Sequence, residues 1–225
     1  MIEYDKNAIV YEYITEFLRK DIPKRHGILG ELEAYAEENS VPIVQPETAR
    51  FLEFLSFLKR PSRILEIGCA IGYSAILMSG GLSAGGSVST MEWDKDMAKL
   101  ARENIKRAGL SDRINVIEGD AKEILPTLSG EYDMIFLDGP KAHYIHMLND
   151  CVRLLKDGGV LVADNVLYKG MTADPEHVVR RKITIVKRLR HFIGAQMQHP
   201  RLKAAVLPLG DGVTVAVKVT EGTKE

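Results

Sequence analysis

Residues 63–76 read Arg63-Ile64-Leu65-Glu66-Ile67-Gly68-Cys69-Ala70-Ile71-Gly72-Tyr73-Ser74-Ala75-Ile76. Four apolar or acidic residues form a short strand, two glycines make a turn, and an apolar run opens a helix that the glycines at 80 and 81 end. The same unit repeats outward. SVSTMEW (87–93) is a strand, and DKDMAKLARENIKRAG (94–109) is a helix with Asp94 as N-cap and Gly109 as stop. INVIEGD (114–120) is a strand followed by a short helix, AKEILPTL (121–128). YDMIFLD (132–138) is a strand, and AHYIHMLNDCVRLLKDGG (142–159) is a helix leaving through glycines. VLVADN (160–165) is a strand, and residues 175–199 read as one long helix with Pro175 in its first turn. AAVLPLG (204–210) and GVTVAVK (212–218) close as an antiparallel pair around Gly210-Asp211-Gly212. Short apolar strands alternating with helices predict an α/β fold with a doubly wound, mainly parallel, seven-stranded sheet.

Upstream, Ile9, Tyr13, Ile14, Phe17 and Leu18, then Phe51, Leu52, Phe54, Leu55 and Leu58, recur at helical spacing. Between them Ser40-Val41-Pro42-Ile43 is an extended break, imposed in part by Pro42. The predicted organisation is a helical extension over 1–60 packed on one compact unit over 61–225.

Open parallel sheets bind ligands beyond the carboxyl ends of their strands. Those ends are acidic here: Glu66, Glu92, Asp120, Asp138 and Asp164. The turn at Gly68 lets a ligand approach the backbone and offers the free N–H groups of a helix start. It is not a GxGxxG dinucleotide turn, because Ala70 and Tyr73 stand at its second and third glycine positions. Glu92, closing the second strand, is placed to accept ribose hydroxyls, and Asp120 closes the third beside the expected adenine. Together these predict a nucleoside cofactor; the turn alone is weak evidence, since tight strand–helix packing also accounts for it.

The fourth strand ends Leu137-Asp138-Gly139-Pro140-Lys141, and the fifth ends Ala163-Asp164-Asn165. If the two strands are neighbours, two carboxylates and a carboxamide converge at one sheet edge. Hard oxygen donors without His or Cys favour Mg²⁺, Ca²⁺ or Mn²⁺ over zinc. Lys141 lies close enough to act as a base on a metal-bound hydroxyl. Singly, each residue has an ordinary alternative role: Asp138 as a helix cap, Asp164 and Asn165 as turn formers, Lys141 as a solvated cation.

The composition fits a globular chain. Of 225 residues, 45% are apolar and 27% charged, which excludes a disordered or collagen-like chain. No apolar run approaches the roughly 18 residues of a membrane span, and the first residues carry Glu3 and Asp5 without a signal-type apolar block, so no membrane association and a cytoplasmic location are expected. Two cysteines, Cys69 and Cys151, make neither a disulfide framework nor a zinc cluster. Net charge is −1, yet His177–Gly210 holds eight Lys and Arg and no Asp or Glu, leaving −9 on the rest. That segment is a local cationic surface.

ExGxxxG at 66–72 looks like the first motif of S-adenosylmethionine-dependent methyltransferases. With D-x-x-K at 138–141 and D-N at 164–165, the chain resembles, over nearly its whole length, the metal-dependent O-methyltransferases related to the catechol and caffeoyl-coenzyme A enzymes. The resemblance implies a Rossmann-like class I methyltransferase fold, S-adenosylmethionine and Mg²⁺ as cofactors, and often a homodimer. It implies that Asp138, Asp164 and Asn165 bind the metal, that Lys141 is the base, and that Glu92 holds the ribose. Val41, Gly68, Ser74, Trp93, Asp120 and Ala121 match positions lining the cofactor site, with Asp138 facing the cofactor's amino group. AYAEENSVPIV, LEIGCAIGYSAI, DNVLYKG and the ending HP…LPLGDGVTVAVK are similar, more narrowly, to the bacterial tRNA 5-hydroxyuridine methyltransferases, which make 5-methoxyuridine at the wobble position. That implies a tRNA anticodon loop as substrate. The 5-hydroxyl and 4-carbonyl of the base would chelate a metal as a catechol does. Lys169, Arg180, Arg181 and Lys182 would meet phosphates, and Tyr168 or Tyr144 would stack on a splayed base. Two other readings stay open: a small-molecule catechol-type O-methyltransferase, and a nucleotide-binding oxidoreductase or non-catalytic nucleoside-binding module.

Overall fold

A computed structural model of the chain describes residues 9–220; the parts of the expected N-terminal extension and C-terminal tail beyond these lie outside the described residues. Five strands, β1 (Arg63–Ile67), β2 (Ser87–Glu92), β3 (Ile114–Glu118), β4 (Tyr132–Leu137) and β5 (Leu155–Ala163), run parallel, and β6 (Leu202–Leu207) and β7 (Val213–Lys218) form an antiparallel pair. The sheet order is β3-β2-β1-β4-β5-β7-β6, with β7 antiparallel to β5. The predicted seven-stranded, doubly wound sheet is therefore the fold observed. The chain departs in opposite directions from the adjacent strands β1 and β4, and this reversal opens a crevice at their carboxyl ends.

The strand alternation sorts side chains between two cores. Ile64, Val88, Met134, Phe136 and Val162 face one side, against α2 (Gly27–Asn39), α3 (Pro46–Lys59), α4 (Tyr73–Ser79) and α5 (Lys95–Arg107). Leu65, Ile67, Met91, Ile135, Leu137 and Leu161 face the other, against α7 (Tyr144–Leu154) and α8 (Ile183–Gln198). Among the described residues two short elements complete the α-helices: α1 (Glu12–Lys20), which buries no residue, and α6 (Ala121–Ile124). Asp94 caps α5 as expected, its carboxylate accepting from Asp96 N at 2.9 Å and Met97 N at 3.0 Å. Ser40, in the left-handed region, ends α2, and the extended segment 41–45 leads into α3 with Pro46 at its start.

Two boundaries differ from the sequence reading. The single long helix over 175–199 does not form. Asp174 caps only a 3-10 turn at Pro175–His177, the β-branched pair Val178-Val179 is extended, and Arg180–Lys182 form a second 3-10 turn before α8. Also, β5 begins at Leu155 and carries the Gly158-Gly159 pair inside it, with an irregular register against β4. Among the described residues no helix is long and apolar enough to cross a membrane.

Where β1 and β4 begin, Asp133 joins three segments. Its carboxylate accepts from Ser62 N at 2.8 Å, Ser62 Oγ at 2.7 Å and Arg63 N at 2.9 Å, and pairs with Lys156 Nζ at 2.9 Å. Despite partial burial, these donors hold the carboxyl down at about 2. The bound form is the ionised one, so its contribution is present above the unfolded value near 4 and is lost as pH falls through about 2. Asp133→Ala should destabilise the fold by about 2 kcal/mol at neutral pH, with the deficit shrinking in acid. Urea denaturation at several pH values would measure this, and a deficit that grows in acid would contradict it.

Candidate active site

The glycine turn is held by backbone contacts on both sides. Gly68 has φ +100°, and a Cβ there would lie 2.6 Å from the Asp138 carbonyl oxygen and 2.9 Å from Gly139 N. Its own N–H continues the β1–β2 ladder to Met91 O at 3.0 Å, while Asp138 N donates to Ile67 O at 2.8 Å. Glu92 secures the outer arm of the turn: one oxygen accepts from Ala70 N at 2.8 Å, the other from Trp93 N and Asp94 N at 3.0 Å each. The two strand ends and the turn between them are thus one hydrogen-bonded frame.

That frame separates two connected cavities that share Gly68, Glu92, Trp93 and Pro140. The smaller, about 210 Å³, has apolar walls from Met91, Trp93, Pro140 and Met147 and polar groups from Asp120, Lys122 and His143; Ala121 also lines it. The larger, about 620 Å³, is roofed by the extended segment at Val41–Gln45 and floored by Asp138, Lys141, Asp164 and Asn165. A slot with flat apolar walls beside a ribose-sized carboxylate position suits a nucleoside. Trp93 is 70% exposed at its rim. Of the residues expected to line a cofactor site, Val41, Gly68, Glu92, Trp93, Asp120, Ala121 and Asp138 all lie on these walls. Ser74 is buried in the first turn of α4 and is not on these walls.

At the floor, β4 and β5 are adjacent and in register to Leu137 and Ala163, so Asp138 and Asp164 emerge side by side. Lys141 Nζ donates to Asp138 Oδ1 at 2.7 Å. Asp164 is 2% exposed; burial first, and the nearby Asp138 charge second, push its carboxyl up to about 7. Asn165 takes the left-handed conformation, φ +57°, which asparagine tolerates, and its N–H donates to Asp164 Oδ1 at 2.7 Å. Behind them the Tyr144 hydroxyl donates toward Leu137 O at 3.0 Å and Asp164 O at 3.2 Å, locking the two strand ends together. Tyr144 is fully buried and edge-on to Phe192, so it is unavailable for stacking on a base.

Two close carboxylates and a carboxamide on one cleft floor make a hard, all-oxygen donor set. This fits an octahedral divalent cation, which would relieve the repulsion between Asp138 and Asp164. Among the described residues no group of three His, Cys, Asp or Glu side chains could hold a metal; here the third donor is an amide.

The sequence reading leaves out two residues near the site. Asp211, on the β6–β7 turn, lies close enough for its charge to act on the Asp164 carboxyl; it accepts from Lys169 N at 2.5 Å, and burial raises its own carboxyl. No spacing rule links it to Asp164. His143, five residues beyond Asp138, lines the smaller cavity. Among the proposed RNA contacts, Lys169, Arg180 and Arg181 are exposed, and Lys182 Nζ sits 5.6 Å from the centre of the Tyr168 ring. Other cations of the acid-free segment are occupied: Arg188 donates to Ala142 O, Arg190 to Thr172 O and Met171 O, and Arg201 to Asp157.

Glu66, inside β1, is fully buried, and burial pushes its carboxyl up to about 8 against a hydrogen bond from the Thr90 hydroxyl at 2.5 Å. Its Oε1 has no partner. The folded chain therefore holds this proton more tightly than the unfolded chain, so stability falls as pH rises from the ordinary carboxyl range through about 8. Glu66→Gln should lose that slope: the melting temperature of the wild type relative to the variant should drop between about pH 5 and about pH 9, and a rise would refute the burial argument.

Residues 21–219 match the family model described as O-methyltransferase. The chain is 36% identical over 191 residues to a catechol O-methyltransferase of Niastella koreensis, covering 83% of this chain and 85% of that one. It is 28% identical over 222 residues to a caffeoyl-CoA O-methyltransferase of Medicago sativa, covering 93% and 88%. Among solved structures, an O-methyltransferase from Bacillus cereus in complex with SAH superposes with a TM-score of 0.81 at 29% identity, covering 92% of this chain and 97% of that one. With the fold, the glycine turn and the match over 21–219 in agreement, the chain belongs to the O-methyltransferase family.

Proposed function

We propose that the protein transfers the methyl group of S-adenosylmethionine to one of two vicinal oxygens on a catechol-type acceptor, assisted by a divalent cation. The observation that carries this reading is the convergence of Asp138, Lys141, Asp164 and Asn165 on the floor of one cleft that opens, past Gly68 and Glu92, into a nucleoside-shaped cavity. The names of the catechol and caffeoyl-CoA relatives, and the SAH bound to the Bacillus cereus enzyme, support it.

In this reading the adenosine lies between Trp93 and Asp120, Glu92 takes ribose hydroxyls, and Gly68 lets the methionine tail approach the backbone. Asp138, Asp164 and Asn165 would hold Mg²⁺, which would supply the positive charge that acidifies the acceptor hydroxyl. Lys141, whose Nζ lies 2.7 Å from Asp138 Oδ1, would accept the hydroxyl proton at Nζ as a free amine, once its ammonium has given a proton to solvent. Segment 41–45 closes the cleft from above and excludes water while oxygen, methyl and sulfur are aligned.

A second reading places 5-hydroxyuridine at the tRNA wobble position in the same cleft. The exposed cations Lys169, Arg180 and Arg181, on the segment that follows the Asp164-Asn165 edge, favour it, and Tyr168 beside Lys182 offers a stacking face. A homodimer is part of the proposal too; the exposed Tyr13, Phe17 and Leu18 of α1 support it.

Purified protein with Mg²⁺ and methyl-labelled S-adenosylmethionine, given a simple catechol in one reaction and tRNA bearing 5-hydroxyuridine in another, tests the two acceptors. Label on the catechol alone assigns small-molecule methylation; label recovered as 5-methoxyuridine, weakening steeply with salt, assigns the tRNA. Full turnover in excess chelator would remove the cation from the mechanism. Lys141→Ala should lower kcat by about 100-fold or more while leaving SAH affinity within about threefold. Equal loss of both would show that Lys141 shapes the cofactor site and is not the base.

A further inference from the structure

Among the described residues, the non-glycine positions in the left-handed region are Ser40, Arg60, Ala70, Asn165, Tyr168 and Lys169. Ser40 and Arg60 end helices. Half of the set lies on the one stretch that leaves Asp164: Asn165, Tyr168 and Lys169 have φ +57°, +48° and +57°. Asparagine tolerates this conformation, whereas tyrosine and lysine keep it only under outside restraint. The restraint comes from the β6–β7 turn. Val166 N donates to Gly212 O at 2.9 Å, Leu167 N to Asp211 O at 3.1 Å, and Lys169 N to Asp211 Oδ1 at 2.5 Å. Gly212, φ +85°, is pressed so closely on this stretch that a Cβ there would collide with the Leu167 side chain.

We infer that Asp211 is a positioning residue for the cleft floor: by taking the Lys169 N–H, its carboxylate holds residues 168–169 left-handed and so fixes the loop that leaves Asn165. This rests on the divalent-cation reading above. Asp211 acts from outside the cleft. With Lys169 it lines a separate cavity of about 360 Å³, whereas Asn165 lies on the cleft floor. The loop is anchored at both ends. Asn165 N donates to Asp164 Oδ1 at 2.7 Å, and beyond the loop Arg190 donates to Thr172 O at 2.7 Å and to Met171 O at 3.2 Å. Between these anchors Tyr168-Lys169 is the strained step, and only Val166 and Leu167 separate it from Asn165. Without the carboxylate, 168–169 relax toward ordinary backbone, and the Asn165 carboxamide is free to turn from the two acids beside it. Groups that orient a metal ligand from behind govern affinity for the ion nearly as strongly as the ligand does.

Mn²⁺ titration followed by electron paramagnetic resonance, with S-adenosylhomocysteine present, tests this, alongside KM and kcat for the acceptor that the labelling reactions identify. Asp211→Ala should raise the Mn²⁺ Kd and the acceptor KM about tenfold. Its affinity for S-adenosylhomocysteine should stay within about threefold, because the nucleoside slot is built from other segments, a split that general loss of structure would not produce. Asp211→Asn, whose carboxamide oxygen can take the same N–H, should keep both values within about threefold of the wild type. Glycine adopts the left-handed conformation unaided, so Asp211→Ala/Lys169→Gly should bind Mn²⁺ within about threefold of Lys169→Gly alone. A wild-type Mn²⁺ Kd and acceptor KM in Asp211→Ala would overturn the inference, as would an Asp211→Asn variant as impaired as Asp211→Ala. A gap of about tenfold between the double variant and Lys169→Gly would overturn it too. Should Asp211→Ala not fold, Asp211→Asn and the two Lys169→Gly proteins decide. Failure of the wild type itself to bind Mn²⁺ would overturn the cation reading, and this inference with it.

Discussion

A close backbone approach at Gly68 governs the site. At Gly68 the β1 chain passes so near the carbonyl of Asp138 that no side-chain carbon fits between them. This contact lets β1 and β4 remain hydrogen-bonded to their last residues, with Asp138 N on Ile67 O. Because β5 continues the same register on β4, Asp164 is delivered beside Asp138, with its own N–H on Leu137 O. The cofactor turn, the first acid of the floor and the second acid of the floor are therefore set by one backbone constraint rather than by separate loops. A strand-borne site of this kind is held more rigidly than one built on mobile connections.

Charge is distributed along that frame in an orderly way. Glu92, fed by three backbone N–H groups, is an anchored acceptor at the cofactor end. Glu66, buried in β1 behind it, is pushed toward its neutral form. Asp164, at the far end, is buried against a second carboxylate. Two of these three acids sit where an uncompensated negative charge is costly, and each lies within reach of the cleft where a cationic cofactor or metal is proposed. Positive charge placed at the ends of β1 and β5 would favour the ionised forms of these acids.

Much of this was legible in the sequence because it rests on local rules. Alternating apolar strands and glycine exits gave the sheet, Asp94 gave the start of α5, and acids at successive strand ends gave the line of the cleft. Where two strands were correctly expected to be neighbours, residues 26 positions apart, Asp138 and Asp164, could be placed together. What escaped depends on packing. Asp211 arrives from a distant hairpin. His143 reaches the smaller cavity from a 3-10 turn after Asp138, which no spacing reveals. Tyr144 looked like a stacking ring, yet its hydroxyl bridges two buried carbonyls. The long helix over 175–199 failed because an unbroken basic and apolar pattern hides the extended Val178-Val179 step.

The pairing of β7 between β5 and β6 has a consequence for the order in which the molecule is made. β7 enters antiparallel, so the turn before it, with Asp211, lands at the carboxyl end of β5 and takes the Lys169 N–H next to the Asp164-Asn165 edge. The nucleoside slot is complete once β1 to β4 and the start of α7 exist, but β5, which carries the floor beside it, gains its second neighbour in the sheet only when residues 213–218 have left the ribosome. During synthesis the cofactor half of the cleft precedes the acceptor half, and a nascent chain that stops short of β7 presents the buried flank of β5 as an unpaired sheet edge.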